Sequence, residues 1–379
     1  MFAKRILDVA PSATFKYAAM AKKPGMINLT VGRTDFGSPQ VMRDAAIMAI
    51  KQGAVHYTPT KGIPELREKM AKKLTKENKL KDIDPEKILV SAGGKNILFE
   101  IIMALVNPGD KVAIANPSWV SYEAMVKFAQ GEIKWLPLKP EKGFIPDDDY
   151  MGALENSGAK LLVLNSPNNP TGAVYPKEVL KQIISIAEEN DIWIISDEVY
   201  EKIIFEGSHF SVGSAYDKTI TVNAISKSAS ATGWRIGYAA CPDFEVINKM
   251  NIIQGMSVSC CTSFAQYGAV QAFSAEAEKE AKKMQAEMKK RRDYAMKRVE
   301  ELDAVCVKPN GAFYIFPAFN NIDGVTAANN LLEQGVATVP GSPFGTAGRN
   351  CIRISYGNVG VEKLAQAFDR MKSVKGIGK

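Results

Sequence analysis

The strongest constraint on the fold of this chain is a repeated alternation of short apolar runs with stretches of helical patterning. Lys87-Ile-Leu-Val-Ser91 leads into the helix-forming GGKNILFEIIMALV of residues 93–106. Lys111-Val-Ala-Ile-Ala115, Lys160-Leu-Leu-Val-Leu-Asn165, Trp193-Ile-Ile-Ser196, Thr219-Ile-Thr-Val-Asn223 and Arg235-Ile-Gly-Tyr-Ala-Ala240 follow, with helical spacers such as Pro176 to Asn190 between several of them. Strands this apolar expose no polar face, so both faces of the sheet need a covering layer. The spacers supply it as crossover helices, which predicts an α/β fold with a mostly parallel sheet. Chemistry in such sheets gathers beyond the carboxyl ends of the strands. Asn165 to Gly172, Asp197 and Lys227 all fall at or just past predicted strand ends, so they are expected to converge on one edge.

A chain of 379 residues exceeds one ordinary core and predicts two domains. Ser274 to Leu302 contains no Gly or Pro and is rich in Ala, Glu, Lys and Met, which predicts one long helix joining them. Beyond it, Ala304 to Lys308, Gly311 to Phe316 and Cys351 to Ser355 alternate with helical segments, the pattern of a small α+β domain.

The net charge is +7, but acids and bases are interspersed. The densest basic run, Lys282 to Arg292, alternates with Glu280 and Glu287 and reads as the solvated face of a helix rather than a nucleic-acid arm. No nucleic-acid partner is expected. Only His56 and His209 are present, and the five cysteines form no C-x-x-C, so a zinc site of the usual ligand types is hard to assemble and no metal is expected. An odd cysteine count without a framework points to a reducing cytoplasm. The first twenty residues lack an apolar core long enough for a signal peptide, and no run approaches about 18 apolar residues, so no membrane span is expected.

Five segments carry chemistry. Ser91-Ala-Gly-Gly-Lys95 places two glycines between a strand and a helix, where backbone N–H groups and the helix dipole can hold a phosphate; a plain tight turn explains it equally. It matches neither the P-loop nor the G-x-G-x-x-G pattern. Asn165-Ser-Pro-Asn-Asn-Pro-Thr-Gly172 reads either as a surface turn or as a rigid loop aiming Asn169 at a ligand oxygen. Ser196-Asp-Glu-Val-Tyr200 ends an apolar strand in carboxylates, suited to a cationic heteroatom or to capping a helix. Lys227 stands among Ser, Ala, Thr and Gly, where a flat ring can approach; a lysine forms a Schiff base with a carbonyl when desolvation or nearby cations lower its pKa, although taken alone the position reads more readily as an ordinary exposed lysine. Arg235 follows eight positions later.

In series, Gly-Gly-Lys, Trp119, Asn-Pro-Thr-Gly, Asp197-x-x-Tyr200, Ser-Lys227 and Arg235-x-Gly resemble the class I/II aminotransferases, pyridoxal-phosphate enzymes of fold type I. The resemblance runs from Leu29 to the RISYG at Arg353 and is nearest the prokaryotic aspartate aminotransferase branch. It implies a three-layer αβα large domain with a mostly parallel seven-stranded sheet, plus a smaller α+β domain. The division implied is 1–43, an N-terminal segment belonging to the small domain and serving as a substrate lid; 44–275, the cofactor domain; and 276–379, the small C-terminal domain.

The resemblance also implies roles. Lys227 would hold pyridoxal 5′-phosphate covalently and then shuttle the substrate proton. Asp197 would pair with the pyridinium nitrogen, keeping the ring an electron sink. Asn169 and Tyr200 would meet its phenolic oxygen, and Trp119 would stack on the ring. Gly94, Lys95 and Arg235 would hold the phosphate. Tyr57 would reach the phosphate of a neighbouring subunit, which implies a homodimer with shared active sites. Arg353 would bind the substrate α-carboxylate, approached also by backbone at Gly32, with Trp119 and Asn169 near the substrate. Many relatives place a phosphate-binding serine three residues before the lysine; here it is Ala224, and Ser226, taken as part of a strand, is expected to face away.

Lys95 matches a lysine that meets a distal carboxylate in that branch, which implies aspartate as donor and 2-oxoglutarate as acceptor in a ping-pong reaction. Relatives commonly read G-E-P-D-F where this chain has Gly32-Arg-Thr-Asp-Phe36, so Arg33 is either a second handle for an acidic side chain or a surface charge. An aminotransferase of broader or aromatic/alanine specificity, or a carbon–sulfur lyase, would use the same Lys227 and Asp197.

Overall fold

Seven strands form the central sheet of the computed structural model, which describes residues 2–7 and 9–379. They are β1 (Ile88–Ser91), β2 (Lys111–Asn116), β3 (Glu132–Pro137), β4 (Leu161–Asn165), β5 (Trp193–Asp197), β6 (Thr219–Ala224) and β7 (Gly237–Ala240), in the order β1-β7-β6-β5-β4-β2-β3. β7 runs antiparallel to both its neighbours, and every other pair is parallel. Six of these follow the apolar runs. The seventh, β3, has the sequence EIKWLP and lies at the sheet edge, mostly half-buried or exposed, so it lacks the continuous apolar signal of a central strand.

Alternation along each strand explains the three layers. Val112, Ile114, Leu161 and Val163 pack on one face under helices Gly94–Leu105, Ser121–Phe128 and Phe244–Ser257. Ala113, Ala115, Leu162 and Leu164 pack on the other under Asp148–Glu155 and Lys177–Glu189. Burying each Val, Ile or Leu among them stabilises the fold by about 1.5–3 kcal/mol.

A separate core joins the N-terminal segment to the end of the chain. Tyr17, Ile27 and Leu29 pack with Ile315, Leu331, Ile354 and Phe368. Ile27–Asn28 pairs in parallel with Val336–Ala337, while Ile352–Ser355 lies antiparallel between Tyr314–Ile315 and Val339–Pro340. The expected long helix spans Ala275–Val299, with Ser274 Oγ accepting from the Ala277 N–H as its N-cap. Its basic run is not wholly solvated, contrary to the sequence reading. Arg291 and Arg292 are buried; Arg291 pairs with Asp35 and Glu287, and Arg292 with Glu206 and Asp293. A guanidinium tolerates this because its planar fork satisfies several acceptors at once. Among the described residues no helix is long and apolar enough to cross a membrane.

Candidate active site

Sheet register assembles the site. Asn165 of β4 lies level with Asp197 of β5, and Gly237 of β7 lies level with both Ser91 of β1 and Ala224 of β6. A cleft of about 460 Å³ opens at this edge. It brings together Gly32, Gly94, Lys95, Trp119, Asn169, Asp197, Tyr200, Lys227, Arg235 and Arg353. Tyr57 is not among them; it is 87% exposed and lies on the surface beside His56, Cys260 and Phe264.

At one end, helix Gly94–Leu105 points its N-terminus at the cleft with no side chain capping it. Gly93, at φ 87°, lets Arg235 press close: a Cβ there would sit 2.4 Å from Arg235 Nη2. A Cβ on Gly237 would sit 2.3 Å from the Gly94 nitrogen, so the strand behind must also lack a side chain. Arg235 is not in a strand, as the sequence pattern suggests, but holds φ 55° after the turn Thr232–Trp234. That backbone sends its guanidinium to the carbonyls of Thr232 and Ala92, at 2.9 and 3.0 Å. Free helix N–H groups and a guanidinium make an anion seat. Ser226 also lines the cleft: the strand ends at Ala224, and Ile225–Ser228 is a helical turn, so the expectation that Ser226 faces away fails.

In the middle, Lys227 Nζ donates to the Gly32 carbonyl at 2.5 Å. Burial, with Arg353 and Arg235 nearby, pushes its pKa down to about 8, against the pull of Asp197. Asp197 is buried, which pushes its pKa up to about 6. No helix follows Asp197, so capping does not explain it; Oδ1 accepts from the Val199 N–H at 3.3 Å, and Oδ2 accepts from Tyr122 Oη at 2.6 Å.

Asn165 braces the neighbouring loop, donating from Nδ2 to the Asp197 carbonyl and accepting the Asn169 N–H at Oδ1. Asn168 Oδ1 accepts from Thr171 Oγ1 at 2.8 Å, which tightens it further. The rigid loop presents Asn169 Oδ1 to Arg353 Nη1 at 3.0 Å, which leaves Asn169 Nδ2 to donate elsewhere. Arg353 also donates to the Thr30 carbonyl at 2.6 Å, and its guanidinium lies 4.6 Å from the Tyr314 ring and 4.9 Å from that of Phe344. It is 1% exposed, and its Nε has no partner among the described residues. Tyr200 Oη shares a 2.8 Å hydrogen bond with Tyr314 Oη, which a Cβ on Gly32 would strike at 2.5 Å.

At the mouth, Lys95 Nζ sits 4.9 Å over the Trp119 ring and 5.4 Å over Phe15. Burial and Arg235 hold its pKa below the usual lysine value. Ser12, Thr14, Phe15 and Ala18, around helix Ala13–Met20, wall this end, and Arg33 lines it with Nε held by Asn358 at 2.9 Å. The sequence reading misses Tyr122, Tyr314, Phe15 and Thr14. Tyr122 sits three residues after Trp119, the one local signal available.

These groups fit pyridoxal phosphate. The glycine cradle and Arg235 suit a phosphate, the buried Asp197 carboxylate suits a cationic ring nitrogen, and the lowered Lys227 amine suits a carbonyl. The orphaned Arg353 Nε suits a carboxylate. The family model described as aminotransferase class I and II matches residues 24–371. An aspartate/prephenate aminotransferase of Thermus thermophilus is 41% identical, with 98% of each chain covered. An aromatic-amino-acid aminotransferase 2 of Thermococcus litoralis is 36% identical, covering 98% of this chain and 97% of the relative. The solved structure of Thermus thermophilus aspartate aminotransferase with maleate aligns at TM-score 0.93 and 39% identity over 98% of each chain. The chain belongs to the class I and II aminotransferases and is a pyridoxal-phosphate-dependent aminotransferase.

Proposed function

We propose that the chain moves the amino group of L-aspartate to 2-oxoglutarate by a ping-pong reaction. The observation that carries this reading is the pair of cations in one cleft, Arg353 and Lys95, suited to the two carboxylates of an acidic amino acid. The Thermus thermophilus relative has prephenate beside aspartate in its name, and both molecules carry a second carboxylate.

When bound, pyridoxal phosphate supplies a carbonyl that exchanges amines and a ring that accepts the electron pair left at the substrate Cα. Gly94 and Lys95 N–H groups and Arg235 bind its phosphate, with Ser226 replacing the oxygen that Ala224 lacks. Asp197 holds the positive charge of the ring nitrogen, and Tyr122 orients that carboxylate. Asn169 and Tyr200 meet the phenolic oxygen. Lys227 Nζ, neutral for a sizeable fraction of the time near pH 8, takes the proton from Cα and returns it. Arg353 fixes the α-carboxylate so that the Cα–H bond faces Lys227.

Three further elements belong to this reading. Residues 1–43 act with 276–379 as one unit and as a lid, supported by the core that Tyr17 and Ile27 share with Phe368; residues 44–275 form the cofactor domain. The chain works as a homodimer in which Tyr57 of each protomer reaches the partner's phosphate. Helix Gln40–Lys51 packs on helix Ser263–Val270, and Ile47, Met48, Ile50, Val55, Phe264 and Tyr267 are exposed around them, an apolar face suited to a second copy. The setting is the cytoplasm, consistent with five free cysteines.

A second reading, aromatic donors, is favoured by the Phe15 and Trp119 rings at the mouth and by the Thermococcus litoralis relative. A half-reaction screen separates them. The visible band of the yellow holoenzyme should move to shorter wavelength with aspartate or glutamate and return with 2-oxoglutarate. Equal rates with phenylalanine or alanine would overturn the acidic preference. Release of pyruvate and ammonia from cysteine would mark a lyase instead.

A further inference from the structure

Behind the turn that carries Lys227 lies a second cleft, of about 420 Å³. Helix Pro64–Lys73 and the wider turn Leu74–Asn78 that continues it present Lys69, Lys72, Lys73 and Lys76 to this space. Their spacing of three and four residues puts all four on one helix face. Across from them stand Lys202 and Lys282. Three glutamates share the cleft, and each already has a lysine: Glu77 pairs with Lys202, Glu201 with Lys73, and Glu278 with Lys282 at 2.9 Å. Among the described residues Lys69, Lys72 and Lys76 pair with no carboxylate, so the cleft carries uncompensated positive charge.

An independent feature points the same way. Asn223 lines this cleft and is 3% exposed. Its Oδ1 accepts from the Ala224 N–H, but its buried Nδ2 has no partner among the described residues. A buried donor left unpaired is costly, and native folds rarely keep one without a ligand or water to meet it. Asn223 and Ser228 face this cleft, while Ser226 and Lys227 face the catalytic one, so the two spaces share a single thin wall.

We propose that this second cleft binds a small multivalent oxyanion, a di- or tricarboxylate or a phosphate compound, distinct from the substrate at Lys227. Lysines act as point charges toward either class, without the planar selectivity of arginine. The volume admits an anion larger than a simple inorganic ion.

The test uses the holoenzyme, in which the cofactor's own phosphate fills the glycine cradle. Calorimetric titration with pyrophosphate and, separately, with citrate at constant ionic strength should give saturable binding of at least one anion at a site separate from the catalytic cleft. The tighter of the two identifies the class. Lys72→Ala/Lys76→Ala should weaken binding by about tenfold or more. Lys72→Arg/Lys76→Arg should retain it, which separates lost charge from lost folding. Arg353→Ala should leave it unchanged, which separates this cleft from the catalytic one. Absence of saturable binding of both anions, undiminished binding in Lys72→Ala/Lys76→Ala, or loss of binding in Arg353→Ala would each overturn the proposal.

Discussion

Tyr122 Oη donates to Asp197 Oδ2 at 2.6 Å, and both side chains are buried. A hydrogen bond to a charged acceptor is worth about 1.5–3 kcal/mol. It favours the ionised carboxylate and so opposes the burial that lifts Asp197. Tyr122→Phe should raise the Asp197 pKa, lower kcat by roughly tenfold or more, and move upward the lower step of the acid limb, near pH 6, below the step that Lys227 sets near 8. An unchanged lower step would reduce Tyr122 to a packing role.

Replacing Lys227 by Ala should cut turnover by at least about 10⁴-fold, the upper range for positioned proton transfer. Activity that needs the neutral amine should rise as pH increases through about 8 in the parent enzyme. Borohydride treatment followed by peptide mass spectrometry should place the cofactor on Lys227 in the parent chain. Finding it on another lysine would remove Lys227 from its proposed role.

Lys95 and Arg33 line the same mouth from different segments. Lys95→Ala should lower the preference for aspartate over alanine, measured as the ratio of kcat/KM values, by about tenfold or more, as expected for one lost charge-assisted contact. Arg33→Glu should lower the same ratio by a smaller factor, because Asn358 holds Arg33 Nε at an exposed position. A ratio unaltered by Arg33→Glu would leave Arg33 as a surface charge.

Glu100 predicts a pH effect on stability away from the chemistry. It is fully buried; Oε1 accepts from Ser91 and Asn96, while Oε2 has no partner among the described residues. Burial pushes its pKa up to about 8, above the unfolded carboxylate value. Between those values the folded chain binds more protons than the unfolded one, so this contribution to stability is present at acid pH and is lost as pH rises toward 8. Glu100→Gln should remove that loss, making the variant more stable than the parent at pH 8 by roughly a few kcal/mol but not at pH 5. Urea midpoints at the two pH values check it; parallel shifts of parent and variant would refute it.

Lys227, Asp197 and the asparagine loop are legible in the sequence because each follows an apolar run, and such runs end at one sheet edge. Ser226 is misplaced by the same logic, since the backbone leaves the strand at Ala224 and nothing local marks the change. Tyr314 and Phe15 come from segments distant in sequence, and only tertiary packing brings them to the cleft. The burial of Arg291 and Arg292 is hidden for a related reason: Asp35 and Glu206, which meet them, lie far from the helix in sequence. Strand β3 escapes notice because an edge position does not require apolar residues on both faces.

The reversed direction of β7 has a mechanical consequence. The chain leaves β6 and enters β7 from the same sheet edge, so residues 225–236 form one short connection bearing both Lys227 and Arg235. This connection works like a caliper with its jaws set by the number of residues between them. A one-residue insertion or deletion between Ser228 and Thr232 would change the gauge without touching either jaw, leaving each cation intact yet no longer spaced to grip one molecule as the proposed function requires.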